Sequence, residues 1–399
     1  MVYDVVIVGG GAAGLAAAIN IKQQKSELSV AVLEALERVC KKLITTGNGR
    51  CNITNAGADT KSYHGASAEF TGSVLSRFTV ADTVEFFKKI GVEIVFEADG
   101  RAYPFSYQAS SVVDALRLGC EELGVNVICS QKVTDIKSGK VLTDGGEYLA
   151  KNIIVTGGLL SGGNKVGSDG SVISILKKLG IKTAPLTPAI VQLKTDTGIC
   201  KSLKGIKTNC TATLKKGSAV IRSEYGEVLF CDYGLSGPPI LQISRNAERG
   251  TRVFLDLAPE YDFDSLLQLL YQRKQNLKKR SLENYLTGFL NKRVGQAVIK
   301  HCGLLLSLSV TSLNDGDIYK IATAIKALGF EVMSNTGFLN SQVTAGGVLH
   351  TELDCNLMLK KLPHVYLAGE IINVDGDCGG YNLQWAWSSA AVVAKEICK

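Results

Sequence analysis

The chain has 399 residues, of which 46% are hydrophobic and 20% charged, with a formal net charge of +7 at neutral pH. That length implies two or three domains rather than one simple core, with the composition of a globular protein. Eleven cysteines, an odd number with no C-x-x-C, argue for free thiols in a reducing compartment and against a disulfide framework.

The first predicted element is a buried strand over Tyr3–Val8, followed by Gly9, Gly11 and Gly14 in G-x-G-x-x-G spacing and an alanine-rich helix. The first glycine serves a tight turn, the second lets the backbone approach a pyrophosphate, and the third allows close helix–strand packing. The helix start at Ala12 and Ala13 offers unpaired N–H groups to the phosphates. A second strand ends at Glu34, twenty residues after Gly14, where a carboxylate can accept hydrogen bonds from a ribose diol. Strand, glycines, helix, strand and acid in that order predict a dinucleotide site, compatible with FAD and with NAD.

Residues 5–19 are the longest weakly polar run, too short and too rich in glycine for a membrane span. Only Met1, Val2, Tyr3 and Asp4 precede this run, without the basic leader of a signal peptide, so a cytoplasmic location is expected. Residues 41–55, KKLITTGNGRCNITN, show neither helical nor strand periodicity. Long loops of this kind usually carry function. Lys42, Thr46, Asn48, Arg50 and Asn52 are candidates to line a cofactor phosphate or a flavin ring, with Gly47 inside the loop. Cys51 reads as a small buried filler or a redox thiol.

From Lys151 to Arg222 there are twelve basic residues and two acidic ones, Asp169 and Asp196. This is either the solvated surface of a β-rich domain or an electropositive rim that attracts anionic substrates. It lacks aromatic interleaving and RNA-binding signatures, so nucleic acid is not the expected partner. After Pro185 and Pro188 short alternating stretches predict antiparallel strands. Residues 262–302 read as helices, and alternation returns near Gly329. The run at 364–370 is a buried strand ending in Gly369–Glu370. After it comes DGDCGG, a flexible acidic approach to a final helix that starts at Gly380. His64, His301, His350 and His364 lie too far apart to show a metal-ligand spacing, so no metal is expected.

Two long motifs, CKKLITTGNGRCNITN at 40–55 and AGEIINVDGDCGGYNLQWAWSSAA at 368–391, make the chain resemble the YhiN/BaiN family of FAD-dependent oxidoreductases. The resemblance extends to residues 100–116, 226–244 and 343–348 and so to most of the chain. One segment departs from it: residues 155–170 lack the Ser-Tyr-Pro expected after Gly157 and Gly158, although those two glycines still fit a strand end beside the cofactor. The resemblance implies an α/β fold: a Rossmann-like FAD-binding domain at 1–186 and 346–399, interrupted by a β-rich domain at 187–260 and 329–345 and a small helical domain at 261–328.

In a flavoprotein of this kind, Glu370 hydrogen-bonds the ribityl chain. The final helix presents the backbone N–H groups of Asn382, Leu383 and Gln384 to the pyrimidine side of the flavin, where charge accumulates on reduction. Val133 is also placed at the cofactor. The activity implied is NAD(P)H-linked reduction of a conjugated C=C, with bile-acid-type 3-oxo-Δ4,6 steroids among the family's substrates and a hydrophobic, possibly anionic, small molecule expected here. The absence of a second G-x-G-x-x-G places any nicotinamide on the substrate side of the flavin. Tyr381, Tyr233 and Tyr103 are the candidate proton donors. Two alternatives stay open: an oxygen-using oxidase of an amine or hydroxy acid, and a flavin redox or RNA-associated protein.

Overall fold

The computed structural model describes residues 2–399. The chain divides into two compact units, one formed by residues 1–188 and 338–399 and the other by Ala189–Gly337.

The first unit is built on a seven-stranded sheet. Its parallel part runs Asn126–Ile128, Val30–Leu33, Val2–Val8, Gly146–Val155 and Val365–Leu367. These strands read as continuous apolar runs because both faces are covered: Val5, Val6, Ile7, Val32 and Ile154 are fully buried. The long strand Gly146–Val155 has two partners. Its first residues pair antiparallel with Lys140–Thr143, and its last three pair parallel with Val365–Leu367. The chain therefore returns, after more than two hundred residues, to complete the sheet it began.

Helix Ala12–Gln24 packs on this sheet with a wholly apolar inner face, Leu15, Ala17, Ala18, Ile19 and Ile21 being buried. The final helix, Tyr381–Ile397, packs against it. Both tryptophans of that helix are buried, and each spends its indole N–H on a backbone carbonyl: Trp385 on Gly369 at 3.1 Å and Trp387 on Ile53 at 2.9 Å. They are structural anchors, as a buried indole with a satisfied N–H usually is.

In the second unit the alternating stretches close into a six-stranded barrel, in the order Leu193–Thr195, Gly234–Ser236, Ala219–Cys231, Lys207–Lys216, Arg252–Asp256 and Leu328–Asn335. Closure occurs where Leu193 pairs with Asn335. Cys210, Ala212, Leu214, Val228, Phe230, Val253, Leu255 and Phe330 point inward and are fully buried, which is the period of two that the sequence shows. Helices Phe263–Asn276, Lys292–His301 and Asp315–Lys326 lie between the last two strands and share the barrel's hydrophobic core. Among the described residues, no helix is long and apolar enough to cross a membrane.

Candidate functional site: a dinucleotide cradle built from both ends of the chain

The first helix begins at Gly11 with no side-chain cap and no acidic residue in its first turn. Its first N–H groups, on Ala12, Ala13 and Gly14, are the ones that helix geometry leaves without an intrahelical acceptor. A Cβ added at Gly11 would meet nothing within 4 Å, so the space before this helix end is open. The neighbouring glycines are fixed by contact instead. A Cβ at Gly14 would collide with Gly9 O, and one at Gly9, where φ is +104°, would come within 2.9 Å of Gly157 Cα. Thr156 secures the crossing, its hydroxyl donating to Val8 O at 2.9 Å and Gly9 O at 2.8 Å. An open, uncapped, positively polarised helix end fits a pyrophosphate.

Glu34 follows strand Val30–Leu33 and lines the cavity beside Gly9. Its carboxylate accepts from the N–H of Gly10 at 2.8 Å and of Leu36 at 2.9 Å, which fixes its orientation at the cleft. Gly9, Glu34, Val133 and Gly157 line one cavity together, so four residues predicted from separate segments meet. Lys132 and Asp169 border the same cavity and form an ion pair at 2.7 Å. Neither was anticipated from the sequence, since nothing local to either marks it. The segment that departs from the family pattern, 155–170, supplies this wall through Gly157, Gly167 and Asp169.

The loop after Lys42 has the irregular backbone that its composition predicts. Thr46 is extended, while Gly47 (φ +56°), Asn48 (φ +55°) and Cys51 (φ +59°) are left-handed. For Asn48 and Cys51 this conformation is sparsely populated, and such residues cluster at binding sites. Cys51 is fully buried, and burial pushes its thiol up to about 12, so it fills space and is no thiolate. Arg50 lies over the Tyr103 ring at 4.5 Å, donates to the Tyr103 hydroxyl at 3.4 Å and pairs with Glu97 at 3.6 Å. Lys42 reaches Glu370 from the other end of the chain, Nζ to Oε2 at 2.7 Å, and the second oxygen of Glu370 accepts from Thr344 N–H at 2.8 Å. A Cβ at Gly158 would lie 3.6 Å from that carboxylate.

The closing helix also starts on a glycine, Gly380 (φ +98°), with no side-chain cap and no acid in its first turn. A Cβ at Gly380 would collide with Thr54 O and sit 2.8 Å from Asn52 Oδ1. Glycine is thus required by the close approach of loop 52–54 as well as by φ. Asn52 Oδ1 itself accepts from Ala102 N–H at 3.2 Å. Gly369 (φ +77°) turns the chain beside the first helix, where an added Cβ would lie 3.0 Å from Ala13 Cβ, and its N–H is held by Ser389 Oγ at 2.8 Å.

Gln384 requires a correction. Its backbone N–H already donates to Gly380 O at 3.0 Å, the first intrahelical bond, so it is not presented to a cofactor. The groups without an intrahelical acceptor are those of Tyr381, Asn382 and Leu383. The Gln384 side chain is instead a buried clamp: Oε1 accepts from Thr54 Oγ1 at 2.5 Å and Thr83 Oγ1 at 3.0 Å, and Nε2 donates to Ser388 Oγ at 2.9 Å. The Asn382 side chain is also occupied, bridging the N–H and C=O of Gly376, each at 2.8 Å.

Tyr381 stands at the closing helix end and stacks edge-on against Tyr63, with ring centroids 6.1 Å apart. Tyr103 is 2% exposed, and burial raises its pKa against the opposing pull of Arg50 and Arg101. Tyr233 belongs to the barrel unit, its hydroxyl likewise raised by burial. Sequence reasoning missed the residues that hold the helix end from across the chain. Asn55 Nδ2 donates to Gly379 O at 2.8 Å, Tyr63 OH to Tyr381 O at 2.9 Å, and His64 pairs with Asp377. Asn55 lay within a quoted motif and could have been found there; Tyr63 and His64 carry no local signal.

Comparison with known proteins identifies the family. The family described as HI0933-like protein Rossmann domain matches residues 3–396. The 3-dehydro-bile acid delta(4,6)-reductase of Clostridium scindens is 31% identical over 98% of this chain and 97% of its own length. The ribosomal RNA dihydrouridine synthase of Escherichia coli is 28% identical over 99% of this chain and 98% of its own. Among solved structures, a 3-ketosteroid delta1-dehydrogenase from Sterolibacterium denitrificans aligns with a TM-score of 0.54 over 100% of this chain and 99% of that one; at 13% identity the likeness concerns the fold. With the family matched along almost its whole length, the chain belongs to the HI0933-like Rossmann family, the YhiN/BaiN group of FAD-dependent oxidoreductases.

Proposed function

We propose that this protein is an FAD-dependent reductase that saturates a carbon–carbon double bond conjugated to a carbonyl, with NAD(P)H as the electron source. The observation that carries the reading is chemical kinship between relatives with different substrates. One is named for reducing the Δ4,6 system of a 3-dehydro bile acid, the other for making dihydrouridine. Both names describe adding two hydrogens across a C=C in conjugation with C=O.

When bound, FAD supplies hydride transfer. The chain's own residues bind and orient it. The N–H groups at Ala12–Gly14 would hold the pyrophosphate, Glu34 the ribose, and Lys42 and Glu370 the ribityl chain, while the end of helix Tyr381–Ile397 would favour negative charge on the pyrimidine ring. Tyr381 is the tyrosine of the three that stands at that end. The substrate favoured is a planar 3-oxo-Δ4,6 steroid of the bile-acid type, because the relative of that name has the higher identity of the two cited.

A second reading, reduction of a uracil base within RNA, is favoured by the E. coli relative and by the basic stretch Lys151–Arg222. The two separate in one experiment. The purified protein is incubated with NADH or NADPH and, in parallel, with a 3-oxo-Δ4,6 steroid and with ribosomal RNA, and products are read by mass. A gain of two mass units in the steroid alone supports the first substrate and in uridine alone the second. A gain in neither contradicts conjugate reduction of both classes.

A further inference from the structure

Protonating the α-carbon needs an acid near the flavin: Tyr103 and Tyr63 are buried, Tyr63 with its pKa raised by that burial, and Tyr381 stands at the closing helix end. The same helix end carries a second candidate, a histidine held by a carboxylate. His64 Nε2 lies 2.9 Å from Asp377 Oδ1, with side chains 26% and 16% exposed, so solvent reaches a pair that is mostly enclosed.

The pair is held in place rather than draped on the surface. Strand Tyr63–His64 runs antiparallel to Asp375–Gly376, with His64 opposite Asp375. The N–H of Asp377 donates to Ser62 O at 2.9 Å. A Cβ at Gly65 (φ +94°) would clash with Asn373 O, so the chain after His64 must run close against this loop. Asp377 lies three residues before Gly380, and Asn382 Nδ2 also reaches Asp377 O at 3.4 Å. The loop that carries the dyad is therefore the loop that sets the start of the helix. The other ionisable or charged groups on the packed elements are Asp375, Tyr63, Tyr381, Cys378, Arg101 and Asp59.

We propose that His64, oriented by Asp377, is the proton donor of the reductive step. This rests on the conjugate-reduction reading above. With hydride delivered to the β-carbon, the resulting enolate forms its α-carbon–hydrogen bond with the proton of the His64 imidazolium. The N–H bond breaks, its electron pair stays on the ring, and solvent reprotonates the neutral imidazole. The electrons come from NAD(P)H, so charge and atoms balance. Histidine suits this exchange because its ring nitrogens can each carry and release a proton, and a carboxylate on one ring nitrogen fixes its orientation.

Two measurements test the role. First, the His64 ring resonances are followed by NMR in the protein without flavin and after loading with FAD, with His64→Gln assigning the signal. A shift on loading is expected, and an unmoved His64 signal places the dyad away from the cofactor and overturns the proposal. Second, the flavin of protein reduced beforehand is reoxidised by the steroid enone across pH in a stopped-flow cell. The wild-type rate is expected to fall as pH rises and the acid loses its proton. His64→Gln should be slower by about 100-fold and lose that limb. Asp377→Asn should retain flavin and change the wild-type profile, and it serves as the test if His64→Gln does not fold. A wild-type profile in both variants overturns this role alone. Wild-type flavin that neither a steroid enone nor uridine reoxidises overturns the conjugate-reduction reading and this role with it.

Discussion

The two helix ends of the proposed cradle are alike in design and unlike in construction. Ala12–Gln24 and Tyr381–Ile397 both start on a glycine, without a side-chain cap and without an acid in the first turn. The first is fixed almost entirely by its own neighbourhood: Gly9, Gly11, Gly14 and Glu34 fall within a stretch of 26 residues, helped by Thr156 from the adjoining strand. The second is fixed by partners more than 300 positions away: Ile53, Thr54, Asn55, Tyr63 and Thr83. A local cradle depends mainly on its own motif. A cradle assembled across the chain also depends on the folding of everything that brings its two sides together.

The largest expected effects break each end outright. Gly14→Val and Gly380→Val both drive a side chain into a backbone carbonyl, of Gly9 and of Thr54, and Gly380 adds a strained φ. Both proteins are expected to emerge from gel filtration without flavin, measured as the ratio of absorbance at about 450 nm to that at about 280 nm. A yellow, active Gly380→Val protein would show that the closing helix end is not part of the cradle.

Next comes Trp387→Ala, which empties a buried indole site and releases Ile53 O. A loss of roughly 3–5 kcal/mol is expected in denaturant unfolding. Gln384→Leu should cost about 1–3 kcal/mol by leaving the Thr54, Thr83 and Ser388 hydroxyls without their shared partner. If either change left stability untouched, the clamp between loop 52–54 and the closing helix would carry little load.

Lys42→Ala is milder. It removes the charge facing Glu370 and should weaken FAD binding about tenfold, or roughly 1.4 kcal/mol, by flavin-fluorescence titration. Restoration by Lys42→Arg would mark charge, rather than shape, as the contribution.

The smallest effect is a pH dependence at the foot of the first strand. The Lys151 ammonium and the Ser29 N–H and hydroxyl hold the Asp4 carboxyl at about 2, below its ordinary 3.8. A depressed folded-state pKa stabilises fully above the unfolded value and is lost as pH falls through the folded one. Asp4→Asn should therefore lower the urea midpoint at about pH 5 and leave it nearly unchanged at about pH 2. Equal midpoint losses at both pH values would exclude the carboxylate charge as the cause.

The same contrast explains what was legible in the sequence. Gly9, Gly14 and Glu34 could be read because their roles are local and their spacing is set by the geometry of strand, turn and helix. Gly379 and Gly380 could be read as a flexible approach for the same reason. The alternation after Pro188 shows strands but not that Leu193 and Asn335 would meet and close a barrel, since closure is a long-range pairing. Nor does any local pattern tie Lys42 to Glu370 or His64 to Asp377. Gln384 was misplaced because helix position was read from the motif, whereas the first turn begins one residue too early for its N–H to stay open.

The central claim is a flavin cradle that passes electrons from a nicotinamide to a conjugated double bond. Its most direct test is the visible spectrum of the purified protein under anaerobic conditions, with NADH or NADPH added first and a 3-oxo-Δ4,6 steroid second. The account predicts a yellow protein that bleaches with the nicotinamide and regains its colour with the enone. A colourless protein that takes up no FAD, or a yellow one that neither nicotinamide bleaches, would contradict it.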